Sequence, residues 1–182
     1  MTDPQKRRGI SWWVALRAFV WSIAFAGTVV GYIPWRFFGV TPSRARPAGP
    51  SGVAGLLAVA VGTALMLACI AEFVVSGQGT PAPMDPPREL VVRGPYRFVR
   101  NPMYLGAMLA LLGELSLVYS RAFAVYILSW FACIHLVVVL YEEPRLRRVF
   151  GGPYERYTAD VGRWWPRVRR TPATPSDERP PR

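Results

Sequence analysis

Four apolar stretches, separated by polar segments of very different length, organise this chain. They cover about Trp12–Ile33, Val53–Val75, Pro102–Tyr119 and Ala122–Tyr141. Each comes near the roughly 20 residues that a helix needs to cross a hydrocarbon core. The first opens with Trp12 and Trp13, aromatic residues suited to the membrane interface. Arg17, one turn further in, has a stem long enough to carry its charge back to the headgroups. No small-residue cleavage site follows this run, so it reads as an anchor, not a signal peptide. Gly39–Gly52 is a loop of Pro, Gly, Ser and Arg, whereas Ser120-Arg121 leaves room only for a tight turn. The third and fourth stretches therefore form an antiparallel hairpin. After Tyr141 the chain turns amphipathic and basic, and from Thr171 to Arg182 it is polar and proline-rich, a composition that favours disorder. The expected fold is all-α and polytopic: about four transmembrane helices in one domain over residues 1–170, followed by a disordered tail over 171–182.

Charge sharpens this picture. The 182 residues are 52% hydrophobic yet carry a net charge of +11, a combination that suits a membrane protein with its charges in loops. Of the 22 cations, all but Lys6 are arginine. Long apolar runs divide them, so the charge does not form the continuous stripe of a nucleic-acid binder. Four spans put the amino terminus, the segment between helices 2 and 3, and the carboxyl tail on one side, with 17 cations against 4 on the other. The positive-inside bias makes the 17-cation side cytoplasmic. The expectation is a multi-pass protein of a bacterial cytoplasmic membrane with both termini in the cytoplasm. Cys69 and Cys133 fall in apolar runs as small buried hydrophobes, and no metal-ligand spacing or disulfide framework is present.

Two polar segments lie at the ends of the hairpin that share a side. One is the Gly/Pro-rich stretch Ser76–Asn101, which closes on Arg93-Gly94-Pro95-Tyr96 and Arg100-Asn101-Pro102-Met103-Tyr104. Such a loop is stiff and can bring backbone close to a ligand. Pro102 suits the first turn of helix 3, with Asn101 as its N-cap. The other is Glu142-Glu143-Pro144-Arg145-Leu146, followed by Phe150-Gly151-Gly152-Pro153-Tyr154 and Tyr157. Carboxylates are unfavourable at a helix carboxyl end, so Glu142 and Glu143 need a cause. Either they pair with Arg145, Arg147, Arg148 or the loop arginines, or they accept hydrogen bonds from a ligand. Tyr154, Tyr157, Trp164 and Trp165 fit a pocket wall or an interfacial belt; for the tryptophans the belt is the better reading. Glu114 and His135 lie inside spans, where an ionisable group is a functional candidate, but at different depths.

These motifs, in this order over about Arg88–Pro166, resemble the isoprenylcysteine carboxyl methyltransferase family, a superfamily that also takes in phospholipid N-methyltransferases. The resemblance implies S-adenosylmethionine as methyl donor, bound in a cytoplasmic pocket formed by the helix 2–3 segment and the carboxyl-terminal part. Arg88-Glu89-Leu90-Val91 resembles the family's cofactor-lining strand, Tyr96 its pocket tyrosine, and Glu142, followed by Glu143, its cofactor-binding glutamate. Asn101-Pro102-Met103-Tyr104 stands where the family usually has His-Pro-x-Tyr, and Asn-Pro-Met-Tyr is the form that phospholipid methyltransferases tend to carry. Arg100 suits the cofactor carboxylate. The arginine that meets the substrate in the prenylcysteine enzymes is Val138 here, which disfavours a prenylcysteine acceptor.

The expected activity is methyl transfer to a small lipophilic acceptor drawn from the bilayer: a carboxyl, amine or hydroxyl group. An acceptor that must lose a proton would find a base in His135, the chain's single histidine. Two other readings stand beside this one. A membrane reductase of the steroid-reductase type would use NADPH, but its Asn-Tyr-x-Gly-Glu signature has no match, because Tyr104-Leu105-Gly106 runs on into Ala107. The other is a non-catalytic membrane assembly module.

Overall fold

The computed structural model describes residues 12–41, 49–72 and 90–167, and the described residues are helical apart from short connections. The helices are α1 (Trp12–Ala26), α2 (Ile33–Phe38), α3 (Gly49–Glu72), α4 (Pro102–Val118), α5 (Arg121–Val137), α6 (Glu143–Phe150) and α7 (Gly152–Asp160). Gly94–Arg97 adds one 3₁₀ turn. Among the described residues, two helices are long and apolar enough to cross a bilayer: Gly49–Glu72, and the continuous rod Arg121–Phe150 that joins α5 to α6. Only 28% and 22% of their apolar windows are buried, so their greasy surface faces outward, unlike the core helix of a soluble protein. Pro102–Val118 is apolar but shorter, at 17 residues. Cys69 is buried, whereas Cys133 is exposed on α5 and does not have the buried place expected for it.

Helices α3 and α4 pack backbone against backbone. Gly55 and Gly62 of α3 meet Gly113 and Gly106 of α4, seven residues apart on each helix and in antiparallel order. A Cβ at Gly62 would stand 2.5 Å from Gly106 O and 2.6 Å from Ala110 N. In lipid, where apolar side chains gain little by leaving their surroundings, such close approach supplies the packing that holds helices together. The other side of α4 meets a core of Leu111, Phe123, Ile127, Val29 and Val30. The Phe38 ring packs at a tilt, 5.2 Å from both Phe123 and Tyr126, which ties α2 to α5.

The α4–α5 hairpin turns at Tyr119 and Ser120, one residue before the Ser120-Arg121 turn expected from the sequence. Tyr119 adopts a left-handed backbone (φ 51°), and the Ser120 hydroxyl accepts from the Phe123 N–H at the start of α5. The helix starts and stops depart from expectation by a few residues. α3 begins at Gly49, because Pro50 is tolerated in a first turn.

Two helices pass through a wide π turn, at Gly27–Tyr32 and at Val138–Glu142. In each, the residue after the turn donates its N–H five positions back, Ile33 to Thr28 O and Glu143 to Val138 O, and a proline comes next. In a regular helix a proline ring collides with the carbonyl four residues back and supplies no N–H. An extra residue in the turn moves that carbonyl away. In the first turn Val29 O would next look to residue 34, a proline without N–H; the Tyr126 hydroxyl donates to it instead, at 3.1 Å. Pro34 therefore does not end the first apolar helix, and helical structure continues to Phe38 instead of stopping near Ile33.

Candidate functional site

The two polar segments meet at one end of the bundle, where α3 ends, α4 begins and α5 runs into α6. Leu90–Val92 is irregular rather than the strand expected for the cofactor-lining segment, and Arg88 and Glu89 lie outside the described residues. Val91 is buried with Tyr96 against Cys69 of α3. Gly94 turns the chain with φ 53°, and Glu72 packs so closely that a Cβ there would lie 2.6 Å from its Oε1. Tyr96 is buried on the 3₁₀ turn, and its carbonyl accepts from the Tyr157 hydroxyl of α7 at 2.7 Å. Burial pushes both phenols upward from the usual tyrosine range, Tyr96 strongly, so both remain neutral.

Tyr104, in the first turn of α4, donates from its hydroxyl to Glu142 Oε1 at 2.5 Å. This pair joins the two polar segments directly. Glu142 ends the second π turn and is half-buried. Its neighbour Glu143 faces elsewhere and is buried. Arg163 grips the Glu143 carboxylate with two nearly parallel bonds, Nε to Oε1 at 2.6 Å and Nη2 to Oε2 at 2.9 Å. That bond raises the Arg163 guanidinium further above its usual range. Arg100 Nη1 lies 3.0 Å from the same Oε1, and the Arg100 side chain is only 10% exposed. Yet Arg100 Nη1 and Nε have no hydrogen-bond partner of good angle. Pairing with a loop arginine, one of the two roles open from sequence, accounts for Glu143; Arg163 is the partner that sequence reasoning missed.

The segment Val161–Trp165 lies across this end of the bundle. Val99 and Gly162 form an isolated parallel β-bridge, and Arg100 N–H donates to Gly162 O at 2.9 Å. Asn101 does not cap α4 with its side chain. Its carbonyl still begins the helix by accepting from Leu105 N–H, but its amide turns away and donates to Arg163 O at 3.2 Å. A carbonyl on an irregular segment has no ladder partner, and the Asn101 amide satisfies it. Pro102 is buried at the first turn, and Met103 packs between the two apolar clusters.

His135 accepts at Nδ1 from the Trp164 indole N–H at 3.1 Å. The neutral ring then carries its proton on Nε2, so His135 presents a donor rather than a free lone pair. Trp164 is half-buried and also packs on Phe131 at 5.1 Å, whereas Trp165 is 80% exposed. Tyr154 is buried and Tyr157 bonded, so both form the wall of this cluster. Glu114 stands apart in the deeper half of α4, with one carboxylate oxygen buried and unpartnered.

The arrangement provides a half-buried carboxylate held by a phenol, followed in sequence by a buried one that pairs with the Arg100 and Arg163 guanidinium groups, at the polar end of apolar helices. The family profile described as phospholipid methyltransferase matches residues 50–152, which spans α3, α4, α5, α6 and both glutamates. The chain belongs to the phospholipid methyltransferase family. No curated relative and no solved structure matches it. Membership agrees with the resemblance of the Arg93–Tyr104 and Glu142–Leu146 motifs, and it makes the apolar helices those of a membrane methyltransferase. It also favours methyl transfer to a lipid-related acceptor over a nicotinamide-dependent reduction.

Proposed function

We propose that this protein transfers a methyl group from S-adenosylmethionine to a lipophilic acceptor dissolved in the membrane. The observation that carries the reading is Glu142, held by Tyr104, next in sequence to Glu143, whose ion-pair partner Arg100 has a buried Nε without a hydrogen-bond partner. Buried donors without acceptors are costly, and a ligand anion would satisfy them. The residues present fit the cofactor: Arg100 would take its carboxylate, Glu142 its ammonium or ribose hydroxyls, and Tyr96, Met103 and Tyr104 would line its surroundings. Leu90 and Val91, with Arg88 and Glu89 before them, complete the proposed binding set on the loop side.

When bound, S-adenosylmethionine supplies an electrophilic methyl group on a sulfonium with a good leaving group. The protein's task is then positioning. Tyr104 fixes one Glu142 oxygen and leaves the other for the ligand. Glu143, itself gripped by Arg163, holds Arg100, and Asn101 keeps the carboxyl-terminal segment closed over it. Aromatic faces in the cluster favour a neighbouring cation. Val138 is buried and apolar, which supports an acceptor other than a prenylcysteine carboxylate. His135, with its proton on Nε2, suits a hydrogen bond to the acceptor's oxygen better than proton removal.

Glu142→Gln is expected to weaken S-adenosylmethionine binding by about 1.5–3 kcal/mol, the worth of a hydrogen bond to a charged group, and to leave the fold intact. Calorimetry of the purified protein in detergent reads it directly. A wild-type protein that binds NADPH and ignores S-adenosylmethionine ends the methyltransferase reading. Incubating membranes with isotopically labelled methyl donor, followed by mass spectrometry of the lipids, names the acceptor.

Four spans with both termini and the helix 2–3 segment in the cytoplasm form part of the same proposal. Single cysteines at Ser43 and Ser176 should label from opposite sides of sealed membrane vesicles. Labelling of both from the same side refutes the four-span count.

A further inference from the structure

The two adjacent glutamates do different things, and the π turn before them decides which does what. A regular helix advances about 100° per residue. One extra residue in the turn makes everything beyond it lag by that angle. Glu142 therefore occupies the azimuth that Tyr141 would take in an unbroken helix, and Glu143 the one that Glu142 would take. In that setting Glu142 meets Tyr104, and Glu143 meets Arg163.

We propose that Pro144 is a positioning residue: it forces the Val138–Glu142 turn open and so rotates Glu142 onto Tyr104. Three observations carry this. The turn ends two residues before Pro144, and the other π turn among the described residues ends two residues before Pro34. In both, the residue before the proline has its N–H bonded five positions back. Pro144 is itself exposed, so packing against a neighbour does not explain its place. With alanine at 144 the collision with Leu140 O disappears, an N–H returns, and the regular helix becomes available. Glu142 then swings toward Arg163, and Tyr141 turns toward Tyr104.

The inference rests on the proposed cofactor role of Glu142, and its test separates the two. Pro144→Ala should weaken S-adenosylmethionine binding about tenfold or more, the size of a lost hydrogen bond to a charged group. Deleting Leu140 in the same protein removes the surplus residue and should restore binding; its side chain is 71% exposed, so little packing goes with it. A second readout needs no cofactor. Trypsin access to Arg163 and Arg167 reports whether Val161–Trp165 is latched. In the wild type Glu143→Ala should open this segment, whereas in the Pro144→Ala background Glu142→Ala should open it. If the wild type binds no S-adenosylmethionine, the function proposed above fails and the protease readout still decides this inference. Unchanged binding in Pro144→Ala, with a latch still dependent on Glu143, overturns the proposal. So does a Leu140-deleted double variant no better in fold or binding than Pro144→Ala alone.

Discussion

Glu143→Ala unfolds in detergent well below the wild type, with a loss of about 3–5 kcal/mol expected for breaking a buried ion pair from one side. The size follows from what is left behind. Arg100 and Arg163 share this carboxylate, and the Arg100 side chain is only 10% exposed. Without Glu143 two cations face each other, one of them in a site that water barely reaches. Arg163, at 32% exposed, can relax outward and recover some hydration, which puts the result toward the lower end of the range. Glu155→Ala on α7 removes the same charge from an exposed position and should change stability by no more than about 0.5 kcal/mol. Equal melting of the two variants would show that the Arg100–Glu143–Arg163 cluster holds nothing together.

Gly62→Ala is the second large effect, and it acts through geometry rather than charge. The added methyl meets Gly106 O at 2.5 Å and Ala110 N at 2.6 Å. Both are backbone atoms within a helix, so no rotamer change relieves the contact, and α3 must move away from α4. Overpacking costs about 1–3 kcal/mol where side chains can adjust; here the upper end or beyond is expected, because they cannot. Separation of the helices also displaces Cys69, which packs with Val91 and Tyr96, so cofactor binding should fall together with stability. Gly31→Ala is the matched control, since nothing lies within 4 Å of a Cβ there. A Gly62→Ala protein as stable as Gly31→Ala would mean that the helices do not pack this closely in the membrane.

What the sequence made legible divides along physical lines. Apolar run length and the short Ser120-Arg121 turn revealed the α4–α5 hairpin, because those signals are local. The convergence of the Arg93–Tyr104 and Glu142–Tyr157 segments was also legible, since a hairpin returns its two ends to one side. The π turns were not: a proline inside an apolar run reads as a stop, and only the carbonyl five positions back tells a wide turn from an ended helix. The partner of Glu143 was hidden for a different reason. Arg163 lies 20 residues away on an irregular segment with no periodicity, among many arginines that composition alone cannot rank. Asn101 looked like a cap by its place before Pro102, but the bare carbonyl of Arg163 is the better use of its amide.

The strap Val161–Trp165 also gives the site a place in time. A ribosome makes Trp12 through Phe150 first, and that stretch already holds both long apolar helices and both glutamates. Gly162, Arg163 and Trp164, which bond Arg100, Asn101, Glu143 and His135, emerge afterwards. The helices can enter the bilayer while the chain is still growing, but Arg100 and Glu143 gain their closing partner only after α7 has been made. The site is therefore completed after the helices that frame it, and a nascent chain halted before Arg163 would carry Arg100 and Glu143 without the segment that closes over them.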